Sequence, residues 1–161
     1  MKIHNSKKKI CVVLPDIRSV HNVASIFRTA DCFGVSEIFL VGYTPGPLDR
    51  FGRERKDFVK VSLGAEKFLS WRHFQKIDEL FNHLKKENYF ILAIEQSQSS
   101  VDYREVKMRY PLALIFGNEV GGIDSQLLNR CDAIGEIPML GTKESLNVSV
   151  AVGVVLARFA K

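Results

Sequence analysis

The sequence is poor in cysteine, which bears on whether the protein is secreted and whether it binds zinc. Its three cysteines, Cys11, Cys32 and Cys131, are an odd number without the spacing of a disulfide framework. This argues against a secreted disulfide scaffold and favours a reducing compartment. No two of them form a CxxC pair, so a zinc site is not expected. Each lies in an apolar run, as is typical of a small core residue.

Long hydrophobic runs are also missing. The first apolar stretch, Ile10–Leu14, is interrupted at once by a proline and an aspartate, which excludes a signal peptide there. No stretch approaches the ~18 apolar residues of a membrane span. The sequence therefore predicts a cytoplasmic protein that has no membrane partner.

The overall composition is that of a globular protein with a modest positive charge. Among 161 residues, 46% are hydrophobic and 25% are charged, which excludes disorder, collagen and coiled coil as the main class. This length predicts a single domain, residues 1–161. The formal net charge is +5, which is compatible with a nucleic-acid partner without requiring one.

Short apolar strands alternate with helical patterns along the chain. The predicted strands are Ile10–Leu14, Glu37–Gly42, Tyr89–Ile94, Leu112–Phe116 and Ala133–Ile137. The predicted helices are Asn22–Phe33, Ile77–Lys86, a short helix capped by Asp124 through Leu128, and Ser145–Ala160. Residues 43–60 are too irregular for one clean element. This alternation predicts an α/β fold with a mainly parallel sheet and helices on both faces.

Ligands of open α/β sheets bind beyond the carboxyl ends of the strands, and three loops are predicted there. They are residues 14–22, 117–122 and 138–147. Neither a dinucleotide fingerprint nor a P-loop is present. The main-chain N–H groups of the glycine-rich second loop, next to a helix N-terminus, would suit a small polar ligand.

Five polar residues at these loops are candidates, and each has a plainer interpretation. Asn22, Ser145 and Asn147 could be helix caps, Arg28 could extend to solvent, and Glu119 could be a solvated turn residue. The four histidines lack metal-ligand spacing, so no metal is expected. From the residues alone, the prediction ends at an α/β protein with a nucleotide-like site and some basic surface.

Three segments together resemble the SpoU-type (TrmH-type) RNA 2′-O-ribose methyltransferases of the SPOUT superfamily. Residues 22–29, NVASIFRT, resemble the first motif, N-x-G-x-x-x-R-T, with Ala24 in place of the usual glycine. FGNEVGG at 116–122 resembles the second motif. IPMLG at 137–141 and SLNVSVA at 145–151 resemble the third. Each motif alone is weak, but three in this order are specific.

The resemblance implies S-adenosylmethionine as cofactor, bound in a C-terminal trefoil knot. It implies a cofactor site formed by Ile94, Gly117, Asn118, Ile137, Met139 and Leu146. It implies that Asn22 and Glu119 brace the site by hydrogen bonds between motifs, and that Ser145 and Asn147 support the catalytic pocket. It also implies a homodimer, with the knot region and the last helix in the interface.

Arg28 would be the catalytic residue that acts on the ribose 2′-hydroxyl, and two mechanisms are open. Arginine is ordinarily protonated and therefore a poor base. A dry pocket could remove its proton, or the charged guanidinium could stabilise the developing alkoxide and the adjacent phosphate. Either way, the position of the 2′-oxygen in line with the cofactor methyl would carry much of the rate.

RNA would have to bind this one domain, because only about nine residues precede the first strand and no separate RNA-binding extension is expected. The candidate surfaces are Lys7–Lys9 and a basic stretch with Arg50, Arg53, Arg55, Lys56 and Lys60. Either could instead be an ordinary solvated face. The substrate could be tRNA or rRNA, with tRNA slightly favoured because a compact domain must read RNA shape and loops. Two alternative functions are open: a non-catalytic RNA-binding protein that retains the fold, and a nucleotide-binding α/β module that does not bind RNA.

Overall fold

A computed structural model describes residues 8–160, which contain one seven-stranded sheet in which every strand pairing is parallel. The strands are β1 Ile10–Pro15, β2 Glu37–Val41, β3 Ser70–Phe74, β4 Phe90–Ile94, β5 Val101–Asp102, β6 Leu112–Phe116 and β7 Ala133–Glu136. The helices are α1 Val20–Cys32, α2 Lys56–Ser62, α3 Ile77–Lys86, α4 Ser125–Leu128 and α5 Val148–Phe159. The strand order is β3-β2-β1-β6-β4-β7-β5.

The central strands are apolar throughout because helices cover both faces of the sheet. Along β1, Val12 and Leu14 point into the core formed with α1, α2 and α5. The alternate residues Cys11 and Val13 point into the core formed with α3 and α4. Successive side chains of a strand face opposite sides, so a strand covered on both sides needs no polar positions. The predicted α/β fold with a mainly parallel sheet is confirmed.

Several predicted boundaries are confirmed and two helix starts are wrong. The helix Ile77–Lys86 and the strand Leu112–Phe116 have the predicted bounds. The first helix begins at Val20, two residues earlier than predicted, because Ser19 Oγ accepts the N–H of Asn22 and caps the helix. The last helix begins after Ser145, at Val148.

Three elements were not predicted from the sequence. Strand β3 pairs only with β2 at the edge of the sheet, so its residues are mostly exposed and lack an apolar signature. Helix α2 lies within the irregular basic stretch, and no side chain caps its N-terminus. Strand β5 has only two residues. Short edge elements give too few positions for a periodicity to be recognised.

The three cysteines are free thiols with different environments. Cys11 is buried, as predicted, and Cys131 is partly buried, which raises the pKa of its thiol to about 12. Cys32 is exposed at the end of α1, so its prediction as a core residue is wrong. Among residues 8–160, no helix is long and apolar enough to cross a membrane.

Candidate functional site

Two adjoining cavities lie at the carboxyl ends of β4, β6 and β7, where the glycine loop, residues 117–122, meets residues 137–147. The larger cavity has a volume of about 500 Å³ and the smaller about 130 Å³. Volumes of ~300–1,000 Å³ are typical of small-molecule sites. All six candidate cofactor residues line one or both of these cavities: Ile94, Gly117, Asn118, Ile137, Met139 and Leu146.

The side chain of Asn22 joins the three sequence motifs. Its Nδ2 donates to Glu119 Oε1 at 3.2 Å, and its Oδ1 accepts from Asn147 Nδ2 at 3.1 Å. Asn22 is only 8% exposed, so both of its polar atoms need partners. The interpretation of Asn22 as a helix cap is wrong, because Ser19 holds that position. Asn147 is the cap of α5, and its Oδ1 accepts from the main chain of Ser149 at 2.8 Å.

Glu119 is exposed, but its carboxylate is held at the start of α1. Its carboxylate accepts hydrogen bonds from the main-chain N–H groups of Arg18 and Ser19 at 3.3 and 3.4 Å, as well as from Asn22. Partial burial raises the pKa of this carboxyl, but these hydrogen bonds, with one from its own N–H, outweigh burial and the pKa lies below its ordinary value. The ionised form of Glu119 therefore stabilises the folded site at neutral pH, and this contribution is lost as the pH falls through the lowered pKa.

The glycine loop folds back on itself so tightly that side chains are excluded at two positions. A Cβ on Gly117 would lie 2.5 Å from the carbonyl carbon of Gly122. Gly122 has a φ of +62°, and a Cβ there would lie 2.5 Å from Glu95 Oε2. Asn118 Oδ1 accepts the N–H groups of Val120 and Gly121 at 3.0 and 2.6 Å and closes the turn.

Glu95 and Gln96, directly after β4, also shape the site, and sequence reasoning missed both. Glu95 Oε2 accepts the N–H of Ile123 at 2.8 Å and so anchors the end of the glycine loop. Gln96 Nε2 donates to the carbonyl of Glu144 at 2.8 Å and anchors the third loop. The available signal was their position at the carboxyl end of a predicted strand.

The whole arrangement matches a known family. The model of the SpoU rRNA Methylase family matches residues 9–157. The chain belongs to the SpoU rRNA Methylase family. This membership confirms the prediction of a SpoU-type RNA 2′-O-ribose methyltransferase, with S-adenosylmethionine as its cofactor.

Named relatives and solved structures agree with this membership. The tRNA (guanosine(18)-2′-O)-methyltransferase of Thermus thermophilus is 34% identical over 91% of this chain and 72% of its own length. An AdoMet-bound rRNA methyltransferase from Sinorhizobium meliloti has a TM-score of 0.85 and 28% identity, over 97% of this chain and 57% of that one. A structure concerned with "2-OH methylation of C/U34 on tRNA" shares the fold, with a TM-score of 0.80, 23% identity and coverage of 96% and 95%. The chain therefore spans between about half and nearly all of the length of these proteins.

Arg28 of the SpoU first motif does not line either cavity. It lies six residues after Asn22 on α1, about 9 Å further along the helix axis and on another face. Its side chain is exposed, and its guanidinium has no ion pair or hydrogen bond with any of residues 8–160. A single copy of the chain therefore provides no dry pocket around this side chain.

The basic stretch predicted to bind RNA is partly ion-paired. Arg53 pairs with Asp49 at 2.9 Å and Arg55 with Asp57 at 3.2 Å, both at the surface. Such exposed pairs contribute little to stability because water and salt screen them, so a phosphate can compete for the arginines. Lys56 begins α2. Of the other predicted basic patch, Lys7 lies outside the described residues.

The bond between Asn22 and Asn147 can be tested by a double-mutant cycle. We expect Asn22→Ala to lower the free energy of unfolding by about 1–3 kcal/mol, because it leaves the partners of a buried amide unpaired. Asn147→Ala should cost less once Asn22 is gone, because the two changes remove a shared bond. Urea unfolding of the two single variants and the double variant measures this coupling, and fully additive effects would contradict the contact. Asn129→Ala, at the end of α4, is the control.

Proposed function

We propose that this chain transfers the methyl group of S-adenosylmethionine to a ribose 2′-hydroxyl of tRNA. The observation that carries the proposal is the buried Asn22 side chain, which bonds to Glu119 and Asn147 at once. Through it, the helix of the first motif is tied to the loops of the second and third around one cavity of about 500 Å³.

The cavity residues fit this cofactor. Among residues 8–160, the main-chain N and O atoms of Met139 and Leu146 make no hydrogen bond within the chain, so they are available to an adenosine. Glu95 and Glu119 are the only charged side chains that line the two cavities, and their charge suits a cationic sulfonium. When bound, the cofactor supplies an electrophilic methyl group. Ile94, Gly117, Asn118 and Ile137 would form the remaining walls.

The polar residues divide into bracing and catalytic roles. Asn22, Glu119 and Asn147 hold the loops at fixed separation, and Ser145 lies at the junction of both cavities. The Arg28 guanidinium is exposed and has no acidic partner among the described residues, so it is accessible to a phosphate of the RNA. Of the two mechanisms, this supports the one in which its guanidinium stabilises the developing alkoxide and binds the adjacent phosphate.

The position of Arg28 outside the cavity supports a homodimer in which a second copy completes the site. Apolar side chains stand exposed around the cavities and on α5, with Val120 at 76%, Leu140 at 96% and Val150 at 51% exposure. Exposed apolar patches of this kind mark interaction surfaces. The last helix, expected to be buried on most faces, leaves Val150 and Ala157 uncovered in one copy. We propose that this face and the knot region form the interface.

The trefoil knot belongs to the same proposal. The segment between β7 and α5 lies against the residue after β4 through the Gln96–Glu144 bond. Helix α5 then packs beside α1 and returns to the start of β6, where Tyr110 donates to the carbonyl of Phe159 at 2.8 Å. Both contacts are compatible with a C-terminal segment threaded through the loop between β4 and β6. Cytoplasmic location, single-domain organisation and the absence of a metal stay predictions.

The proposed RNA surface makes a charge-reversal prediction. Changing Arg53, Arg55 and Lys56 to glutamate should weaken tRNA binding and reduce the slope of log affinity against log salt, because fewer counterions are released. Reversal of Lys85, Lys86 and Lys107, also exposed, is the matched control and should have little effect. Filter binding over a salt series measures both slopes. Equal losses in the two triple variants would contradict this footprint.

The proposed reaction is tested by methyl transfer from labelled S-adenosylmethionine to unmodified total RNA, separated afterwards into tRNA and rRNA. We expect label in the tRNA fraction. Label confined to rRNA would contradict tRNA as the substrate and would support the proposed reaction with rRNA as the substrate. A protein that binds the cofactor but labels neither fraction would contradict the proposed activity and favour the non-catalytic RNA-binding alternative.

A further inference from the structure

A second large cavity lies outside the cofactor site, at the carboxyl ends of β2 and β3. Its volume is about 840 Å³. We call it the arginine–aromatic groove. Its lining includes the aromatic side chains Tyr43, Trp71 and His73 and the cations Arg50 and Arg55. None of the three aromatic residues belongs to the sequence motifs of the family.

Two of the aromatic walls of this groove, Trp71 and His73, are held by neighbouring groups, and the side chains of Tyr43 and His73 are open to solvent. Trp71 packs against the hydrophobic core and lies beside Gly46, where a Cβ would meet the indole ring at an ordinary contact distance of 3.5 Å. His73 Nε2 lies 2.8 Å from the carbonyl of Gly42, which can only accept, so this nitrogen carries the proton. Tyr43 is 57% exposed. Preorganised flat surfaces of this kind suit stacking.

The charge of the groove is positive. Arg50 lies over the exposed ring of Phe51, with its guanidinium carbon 4.7 Å from the ring centroid. Arg55 has only the exposed ion pair described above. The one acidic side chain of the lining, Asp49, is already bound by Arg53. Two arginines beside stacking rings match a phosphate next to a base.

A short segment of chain connects the groove with the cofactor site. Asp16 Oδ1 accepts the N–H of Tyr43 at 3.2 Å, on the groove side. Ser19, three residues later, donates its N–H to Glu119 on the cofactor side. Three residues span at most about 10 Å, the height of about three stacked bases at 3.4 Å each.

We infer that the arginine–aromatic groove binds an unpaired nucleotide of the substrate RNA, a few nucleotides from the one that is methylated. The base stacks on Tyr43 and Trp71, and the flanking phosphate binds Arg50 and Arg55. Stacking on aromatic side chains is how unpaired bases are generally bound. This inference rests on the proposed function, because the groove would position RNA for the same reaction.

The chain offers a direct probe, because Trp71 is its only tryptophan. The experiment titrates the intact protein with a short single-stranded oligoadenylate and follows tryptophan fluorescence. We expect saturable quenching, weaker with an RNA duplex of equal length and absent with inorganic phosphate. Tyr43→Ala should lower the affinity about tenfold, whereas Tyr43→Phe, which keeps the ring, should retain it. Phe68→Ala, which removes an exposed aromatic outside the groove, should have no effect.

Three results would overturn the inference: no quenching, equal quenching by duplex, or an unchanged affinity in Tyr43→Ala. The assay needs no methyl transfer, so the two proposals can fail separately. Quenching without any methylation of tRNA would keep the groove and overturn the proposed function. Methylation without quenching would support the proposed function and contradict nucleotide binding in the arginine–aromatic groove.

Discussion

Arg28→Ala should abolish methyl transfer while cofactor affinity stays within a few-fold of the parent chain. Arg28 lines neither cofactor cavity, so its removal leaves the cofactor walls intact. Its exposed guanidinium is the group proposed to stabilise the charge that develops on the 2′-oxygen. Loss of one such electrostatic contact typically costs about a hundredfold or more in rate.

The measurement compares single-turnover transfer with cofactor binding by calorimetry in the same variant. Arg109→Ala is the matched control, since Arg109 is also exposed but contacts only Asn88 through hydrogen bonds within the described part of the chain. Arg28→Lys should recover little activity, because lysine keeps the charge and lacks the planar fork. A collapse of cofactor binding in Arg28→Ala would show that Arg28 is structural and that the assignment is wrong.

Gly117→Ala should weaken cofactor binding by about a hundredfold or more. The new Cβ would lie 2.5–2.8 Å from main-chain atoms of Gly122 and Ile123, and a backbone neighbour cannot rotate away as a side chain can. The glycine loop must open, and the wall of the cavity moves with it. A misplacement of about 1 Å in an active site can cost about a hundredfold in rate, and we expect a comparable loss of affinity when the wall of the cofactor cavity moves.

Gly141→Ala is the matched control for this prediction. It lies in the neighbouring third loop, where an added Cβ meets no atom within 4 Å, so cofactor affinity should not change. Circular dichroism of both variants separates loop distortion from unfolding. If Gly117→Ala binds the cofactor as tightly as Gly141→Ala does, the glycine loop is not a wall of the site.

The central elements could be predicted from sequence because burial on both sides leaves an unmistakable pattern. Strands such as Leu112–Phe116 are apolar at every position, and helix Ile77–Lys86 has one apolar stripe. Edge elements such as β3 contact the core through few residues. Most of their side chains face solvent, so their sequence shows no apolar pattern that would predict a strand. The start of a helix depends on which side chain is its N-cap. Both Ser19 and Asn22 are residue types that cap helices, and the structure has Ser19 as the N-cap of α1.

The sequence predicted which residues line the candidate site, but it did not predict the contacts between them. The motifs identified the six cofactor candidates, and the structure brings all six to two adjoining cavities. Glu95 and Gln96 could not be found by spacing, because they act on residues about 30 and 50 positions away through contacts that only the fold creates. The separation of Arg28 from the cavity follows from helical geometry, whereas the proposed completion of the site by a second copy has no signal in any local pattern.

The most direct test of the central claim is the position of the methyl group in the product. tRNA labelled by the parent chain and by Arg28→Ala is hydrolysed with alkali, which cannot cleave next to a 2′-O-methylated ribose. The account predicts labelled, alkali-resistant dinucleotides with the parent chain and none with Arg28→Ala. Label that appears in the mononucleotides released by alkali would place the methyl group on a base and contradict the account.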